Sequence, residues 1–205
     1  MPSTEFLLTS LIVVLIPGTG VLFTVATGLF LGRRASVYAA AGCTLGILPS
    51  LLASITGLAL LVHASALAFQ LVKYAGVAYL LYLAWGMLSS SGPLQLKDEG
   101  RERRGGEIAL KGFLINILNP KLTVFFLAFL PQFVPSNAAA PTDAMITLGL
   151  IFMLMTLVVF LAYGLLATAF RTYVIESERV ATIAQRVVAG GFAAMGLRLA
   201  FASRD

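Results

Sequence analysis

The sequence predicts an all-α integral membrane protein whose six transmembrane helices form two three-helix halves, with the first and fourth helices broken. The composition is the first observation behind this prediction. Of 205 residues, 59% are hydrophobic and only 11% are charged, whereas a soluble domain carries about 25% charged residues. The mean hydropathy is +0.95. The second observation is that two long apolar segments are interrupted by a proline motif at corresponding places in the two halves.

Six apolar segments reach the length of about 20 residues that a membrane-spanning helix needs. They lie at about 6–31, 36–62, 66–88, 108–131, 144–169 and 183–202. The second and fifth contain no charged residue. The sixth is framed by Arg186 and Arg198, whose long side chains can reach opposite interfaces. A five-span arrangement with the last helix at the interface is the alternative.

The segment 89–107 separates three spans from three spans, and it is rich in Ser and Gly before it becomes mixed in charge. We therefore expect a single membrane domain over 1–205, with a first half at 1–88, a cytoplasmic basic linker at 89–107 and a second half at 108–205. An odd number of spans in each half gives two similar halves opposite orientations, which predicts an inverted repeat.

Basic residues alternate between the connections of the six spans. The connections after the first, third and fifth spans carry Arg33, Arg34, Lys97, Arg101, Arg103, Arg104, Arg171 and Arg179. The connections at 63–65 and 132–143 carry no Lys or Arg. The positive-inside rule then places the basic connections in the cytoplasm and, with six spans, both termini outside. The net charge of +5 thus indicates topology and contact with the lipid bilayer, and not a nucleic-acid partner.

Two proline motifs interrupt the first and fourth spans. They are Pro17-Gly18-Thr19-Gly20 and Asn119-Pro120-Lys121. Proline removes a backbone donor and clashes with the preceding turn, so each motif is expected to break its helix. Backbone groups freed in lipid are costly unless they face protein or water, so paired breaks predict a binding cavity between them. An ordinary kink in a packed helix is the alternative.

The residues around the two motifs suit an anionic group such as a substrate carboxylate. The chain after each proline would start a half-helix, and a helix N-terminus carries about half a positive charge. Lys121, a charge expected near mid-bilayer, would pair with a carboxylate or bind carbonyl groups of the opposite break. Lys73, near the outer end of the third span, would pair with a substrate carboxylate or extend its side chain to the membrane–water interface.

The remaining candidates are neutral polar side chains. Asn116 and Asn119 share a helix face and would bind a substrate amino group or the unwound backbone, as would Thr19. Tyr79 is expected to face the cavity from the third span. The predicted substrate-binding residues are therefore Pro17, Gly18, Thr19, Gly20, Lys73, Tyr79, Asn116, Asn119, Pro120 and Lys121.

Other parts of the sequence limit the function. All nine carboxylates lie at predicted termini, loops or interfaces, and no nucleophile triad, nucleotide loop or metal cluster is present, so we predict no enzyme, cofactor or metal site. The single cysteine, Cys43, is expected to be a small buried residue at a helix contact. Gly42 and Gly46 form a small-xxx-small pair that predicts close helix packing.

Several segments, taken in order, resemble the LysE/RhtB family of bacterial amino-acid exporters. They are Gly112 to Lys121, Phe125-Phe126-Leu127, Leu130-Pro131-Gln132-Phe133, Lys73 to Leu83, and Gly32-Arg33-Arg34. The chain departs from the family in the first motif, where the family commonly has Pro-Gly-Pro followed by Asp or Asn. Thr19 and Gly20 stand there instead. The departure puts the family's usual substrate range in doubt.

The resemblance implies a secondary transporter in the bacterial cytoplasmic (inner) membrane. It would export amino acids or related small zwitterionic metabolites by alternating access around the two broken helices, with one half rocking against the other. The substrate would be a small molecule, and the Gly-rich faces would allow a homodimer. The alternative is a non-transporting membrane assembly or regulatory subunit whose kinks are structural.

Overall fold

The computed structural model describes residues 2–56, 74, 77–79, 81–82, 84–85, 88, 105–119, 122, 125–134 and 140–200. Every regular element within these residues is helical, which confirms the predicted all-α class. The α-helices are α1 Thr4–Leu15, α2 Thr19–Leu31, α3 Arg33–Leu45, α4 Leu48–Ile55, α5 Gly105–Ile117, α6 Pro141–Ala169, α7 Arg171–Glu176 and α8 Glu178–Ala200. A π-helix, Phe125–Phe129, and a 3-10 helix, Leu130–Phe133, lie between α5 and α6.

Two stretches among the described residues are long and apolar enough to cross a membrane unaided. They are Arg33–Ile55, which comprises α3 and α4, and α6. The pair α1 and α2 forms a third such stretch if the two bent helices count as one span. The predictions that the chain has six spans and that they form an inverted repeat stay predictions.

The first predicted break is present between α1 and α2, whose axes differ by 54°. Ile16 and Gly18 have extended backbone conformations, and Pro17 between them has no N–H to donate. The break frees carbonyl groups at the end of α1. The hydroxyl of Tyr163 on α6 donates to one of them, the carbonyl of Leu15, at 3.1 Å.

The fourth span is interrupted at the predicted place. Helix α5 ends at Ile117, and Asn119 lies outside any helix. The backbone N–H of Leu122 donates to the carbonyl of Asn119 at 3.1 Å. Pro120 and Lys121 lie outside the described residues. Beyond them the described chain forms the π-helix, which the sequence pattern did not predict; such helices often occur at functional sites.

Glycines form two close contacts between helices from opposite halves of the sequence, and we call these contacts glycine seams. In the α3–α5 seam, a methyl group on Gly42 would overlap the carbonyl oxygen of Ala109, and one on Gly46 would lie 2.5 Å from the carbonyl oxygen of Phe113. This confirms the predicted close packing at Gly42 and Gly46. In the α2–α6 seam, a methyl group on Gly28 would lie 2.5 Å from the carbonyl oxygen of Gly164. Such close approach of helix backbones is typical of contacts at small residues such as glycine.

A central apolar cluster fills the space between the seams and the two breaks. Its largest fully buried side chains are Phe6, Ile47, Phe126, Phe152 and Leu130, which come from α1, the α3–α4 connection, the π-helix, α6 and the 3-10 helix. Cys43 is also fully buried in this cluster, as predicted from its apolar surroundings. The cluster therefore holds both broken spans against α3 and α6.

Candidate substrate site

A small cavity lies where the two breaks meet. Gly18 and Gly20 line it from the first break, and Asn119 and Leu122 line it from the second. The other lining residues come from α1, α2, α5 and α6. They are Val13, Val14, Val21, Asn116, Phe152, Thr156 and Phe160. Two motifs that are about a hundred residues apart in the sequence thus face one space.

The cavity is contracted in this structure. Its volume is about 10 Å³, close to the minimum that holds one water molecule. Small-molecule sites usually occupy about 300–1,000 Å³. Any amino acid that binds here must therefore separate the walls of the cavity.

The N-terminus of α2 borders the cavity. Gly18 is its N-cap, and no side chain caps the helix. The first backbone N–H groups of a helix lack acceptors within it, and here they belong to Thr19, Gly20 and Val21. The next one, on Leu22, donates to the carbonyl of Gly18 at 3.0 Å. This terminus offers a partial positive charge and backbone donors beside the lining residues Gly18, Gly20 and Val21.

Two asparagine amides form the polar wall of the cavity. The amide nitrogen of Asn116 donates to the carbonyl of Cys43 at 2.7 Å, and the amide nitrogen of Asn119 donates to the amide oxygen of Asn116 at 3.3 Å. An amide oxygen has two lone pairs, so the oxygen of Asn116 can accept a second hydrogen bond. The amide pair can therefore accept a bond from a substrate ammonium group without giving up its own.

The carbonyl of Gly20 is held from behind the cavity. The hydroxyl of Thr24 donates to it at 2.8 Å, and the thiol sulfur of Cys43 lies 3.9 Å from it. The Thr24 bond lies within α2, and the Cys43 contact joins the first turn of α2 to α3. They leave the face of Gly20 that carries no side chain turned toward Asn116 and Phe160.

The apolar wall is a stripe along α6. Phe152, Thr156 and Phe160 are four residues apart, so they share one helix face. The hydroxyl of Thr156 donates to the carbonyl of Phe152 at 2.9 Å, which satisfies it within the helix. Phe152 is packed firmly, with its ring stacked 4.4 Å from that of Phe125.

Among the residues that the structure describes, none that lines the cavity carries an ionisable side chain. Because an unpaired charge in an apolar, water-poor space is costly, the cavity suits a ligand whose side chain is uncharged. The partial charge of the α2 terminus and the amide pair can still bind the ammonium and carboxylate groups of a zwitterion.

Five of the ten predicted site residues lie at or between the lining positions of the cavity. Gly18, Gly20, Asn116 and Asn119 line it. Thr19 is buried between two of them, and its hydroxyl has no hydrogen-bond partner among the described residues. Pro17 is exposed and produces the break without lining the cavity.

Tyr79 is half-buried and is not among the lining residues; its ring stacks on Tyr82 at 6.4 Å. Lys73, Pro120 and Lys121 lie outside the described residues.

Sequence reasoning missed the apolar lining. It named none of Val13, Val14, Val21, Leu122, Phe152, Thr156 and Phe160. The four-residue spacing of Phe152, Thr156 and Phe160 places them on one helix face, but the uniformly apolar span does not mark that face. Such a face looks the same in sequence whether it meets lipid, protein or a ligand.

Comparison with known proteins gives one family. The family model described as LysE type translocator matches residues 11–203, which is nearly the whole chain. No solved structure matches the chain.

Curated relatives cover most of the chain. An uncharacterized membrane protein of Vibrio cholerae serotype O1 is 32% identical over 198 residues, 96% of this chain and 95% of the relative. A homoserine/homoserine lactone efflux protein of Salmonella typhimurium is 32% identical over 162 residues, 79% of this chain and 78% of the relative. A leucine efflux protein of Klebsiella pneumoniae is 26% identical over 200 residues, 95% and 92% of the two chains.

Proposed function

The chain belongs to the LysE type translocator family, and from that premise we propose that it is a secondary transporter that exports amino acids with uncharged side chains, or related small zwitterions. The observation that carries the proposal is the convergence of the two breaks on one cavity whose described lining residues are all neutral. The named efflux relatives support it, since homoserine and leucine both have uncharged side chains.

The substrate carboxylate would lie at the N-terminus of α2. There the hydroxyl of Thr19, which has no partner among the described residues, and the first backbone N–H groups of the helix offer donors, and the helix dipole favours a negative charge. Lys121 follows Asn119 by two positions in the sequence, and we propose that it pairs with the same carboxylate. The substrate ammonium group would donate to the amide oxygen of Asn116.

The transport cycle would be alternating access around the two broken helices. The small volume of the cavity would suit a closed arrangement in this cycle, and binding an amino acid would require the walls to part. The 54° bend at the first break is a natural place for this movement, because Ile16 and Gly18 have extended backbones and Pro17 between them donates no backbone hydrogen bond.

The membrane arrangement that we propose has six spans as an inverted repeat in the bacterial cytoplasmic membrane, with the basic connections in the cytoplasm and both termini outside. In that orientation an outward movement of amino acids is export from the cell.

The test is efflux from cells preloaded in turn with a panel of labelled amino acids, at matched membrane levels of each variant. We expect selective efflux with the wild type and its loss with Lys121→Ala. Lys111→Ala, which removes an exposed lysine of α5, is the matched control and should retain efflux. Correctly inserted wild type that exports nothing in the panel would contradict the proposal and favour a non-transporting membrane subunit.

A further inference from the structure

We propose that Phe160, which faces Gly20 across the cavity, sets the upper size limit of the substrate side chain. This inference rests on the proposed export function and deepens it, because it assigns a specificity-determining residue to the site. The residue lies on α6, in a span where the sequence marks no position as distinct from its neighbours.

Gly20 lies so close to the ring of Phe160 that no side chain would fit between them without a shift of the ring. A methyl group at position 20 would lie 2.8 Å from Cε2 and 3.2 Å from Cζ of the Phe160 ring. It would also lie 2.7 Å from the amide oxygen of Asn116. The ring edge and the amide oxygen therefore converge on a position in the first turn of α2 that has no side chain.

This convergence separates a polar from an apolar part of the site. A substrate ammonium group bound to the oxygen of Asn116, with its carboxylate at the N-terminus of α2, has its α-carbon beside Gly20. The substrate side chain must then extend along the stripe of Phe152, Thr156 and Phe160. The volume available beside this stripe then determines which substrate side chains fit.

The two phenylalanines of the stripe differ in their freedom to move. The ring of Phe152 is held by Phe125 at 4.4 Å and by Phe126, edge-on, at 5.3 Å. Phe160 has no aromatic partner among the described residues, although it is only 6% exposed. Phe152 is thus a fixed wall, and the ring of Phe160 is the part that must move when a substrate enters.

The experiment measures efflux of labelled alanine, leucine and phenylalanine from preloaded cells, and compares the phenylalanine-to-alanine ratio between variants. We expect Phe160→Ala to raise this ratio about tenfold, since a few methylene groups of pocket volume change discrimination by that order. Phe160→Leu, which keeps most of the volume, should raise it less. Gly20→Ala narrows the same space from the opposite side and should lower the ratio.

The matched control is Phe30→Ala. Phe30 is equally buried but belongs to a separate cluster with α8, so its loss should leave the ratio at the wild-type value. An unchanged ratio in both Phe160→Ala and Gly20→Ala, with measurable export, would overturn this inference and leave the export function standing. Wild type that exports none of the panel would overturn the export function instead, and this inference with it.

Discussion

The amide nitrogen of Asn116 lies 2.7 Å from the carbonyl oxygen of Cys43, and this hydrogen bond ties together two residues that are 73 positions apart. In a continuous helix the N–H of Ile47 would donate to that carbonyl. Here it donates to the carbonyl of Thr44 at 3.1 Å, because α3 ends at Leu45. Asn116 therefore replaces a missing helical bond in the first half of the chain and also lines the cavity.

Replacing Asn116 by alanine should weaken both folding and export. The carbonyl of Cys43 is buried, and loss of its side-chain donor is expected to lower the free energy of unfolding by about 1–3 kcal/mol. Thermal or denaturant unfolding in detergent measures this, and efflux assays measure export. Ser54→Ala is the control, since Ser54 donates to the carbonyl of Phe126 but does not line the cavity. If the loss of export is in the same proportion to the loss of unfolding free energy in Asn116→Ala and in Ser54→Ala, that result would argue against a role for Asn116 in binding.

Replacing Thr19 by valine should have opposite effects on stability and export. Its buried hydroxyl has no partner among the described residues, so a methyl group of the same shape is expected to raise the free energy of unfolding by about 1 kcal/mol. Export should fall, because the hydroxyl is proposed to bind the substrate. In the control Thr44→Val the lost hydroxyl bonds Ala40 within α3, so export should persist. Unchanged export in Thr19→Val would remove Thr19 from the site.

Alanine at Gly42 and alanine at Gly190 should change stability in opposite directions. At Gly42 the new methyl group would collide with the backbone of Ala109, and the α3–α5 seam must separate, at a cost of about 1–3 kcal/mol. At Gly190 no described residue lies within 4 Å of the added methyl group, so alanine should stabilise α8 by about 0.5–1 kcal/mol. Unfolding temperatures of the two purified variants decide this. Similar shifts of one sign would show that the seam is looser than described.

Replacing Tyr163 by phenylalanine should destabilise the first break. It removes the bond to the carbonyl of Leu15, which is worth about 0.5–1.5 kcal/mol in the free energy of unfolding. Tyr173→Phe is the control, because Tyr173 is 70% exposed on the short helix α7. Unfolding in detergent should give a lower free energy of unfolding for Tyr163→Phe than for Tyr173→Phe. Equal values would show that the hydrogen bond to Leu15 does not stabilise the break.

The breaks could be predicted from the sequence because their cause is local. Proline lacks a donor wherever it stands, so Pro17 and the Asn119 motif identify the ends of α1 and α5 without any tertiary information. Gly42 and Gly46 were predictable for a similar reason, since a glycine pair permits a contact that larger residues forbid.

The walls of the cavity could not be predicted because they depend on tertiary packing. In a helix as uniformly apolar as α6 no face is marked, and Phe160 looks like its lipid-facing neighbours. The hydrogen bond from Asn116 to the carbonyl of Cys43 could not be predicted either. Every residue has a carbonyl, and that of Cys43 is available only because α3 ends just after it. Tyr79, expected at the cavity, does not line it.

The glycine seams bear on which parts of the protein can move as rigid bodies. Each seam joins a helix from the first half of the chain to one from the second: α3 with α5, and α2 with α6. A rocking motion that separated the two halves would have to pull both backbone contacts apart at once. In the proposed transport cycle the units of motion would then be pairs of helices that cross the sequence boundary, so the order of the chain and the mechanical division of the protein would not coincide.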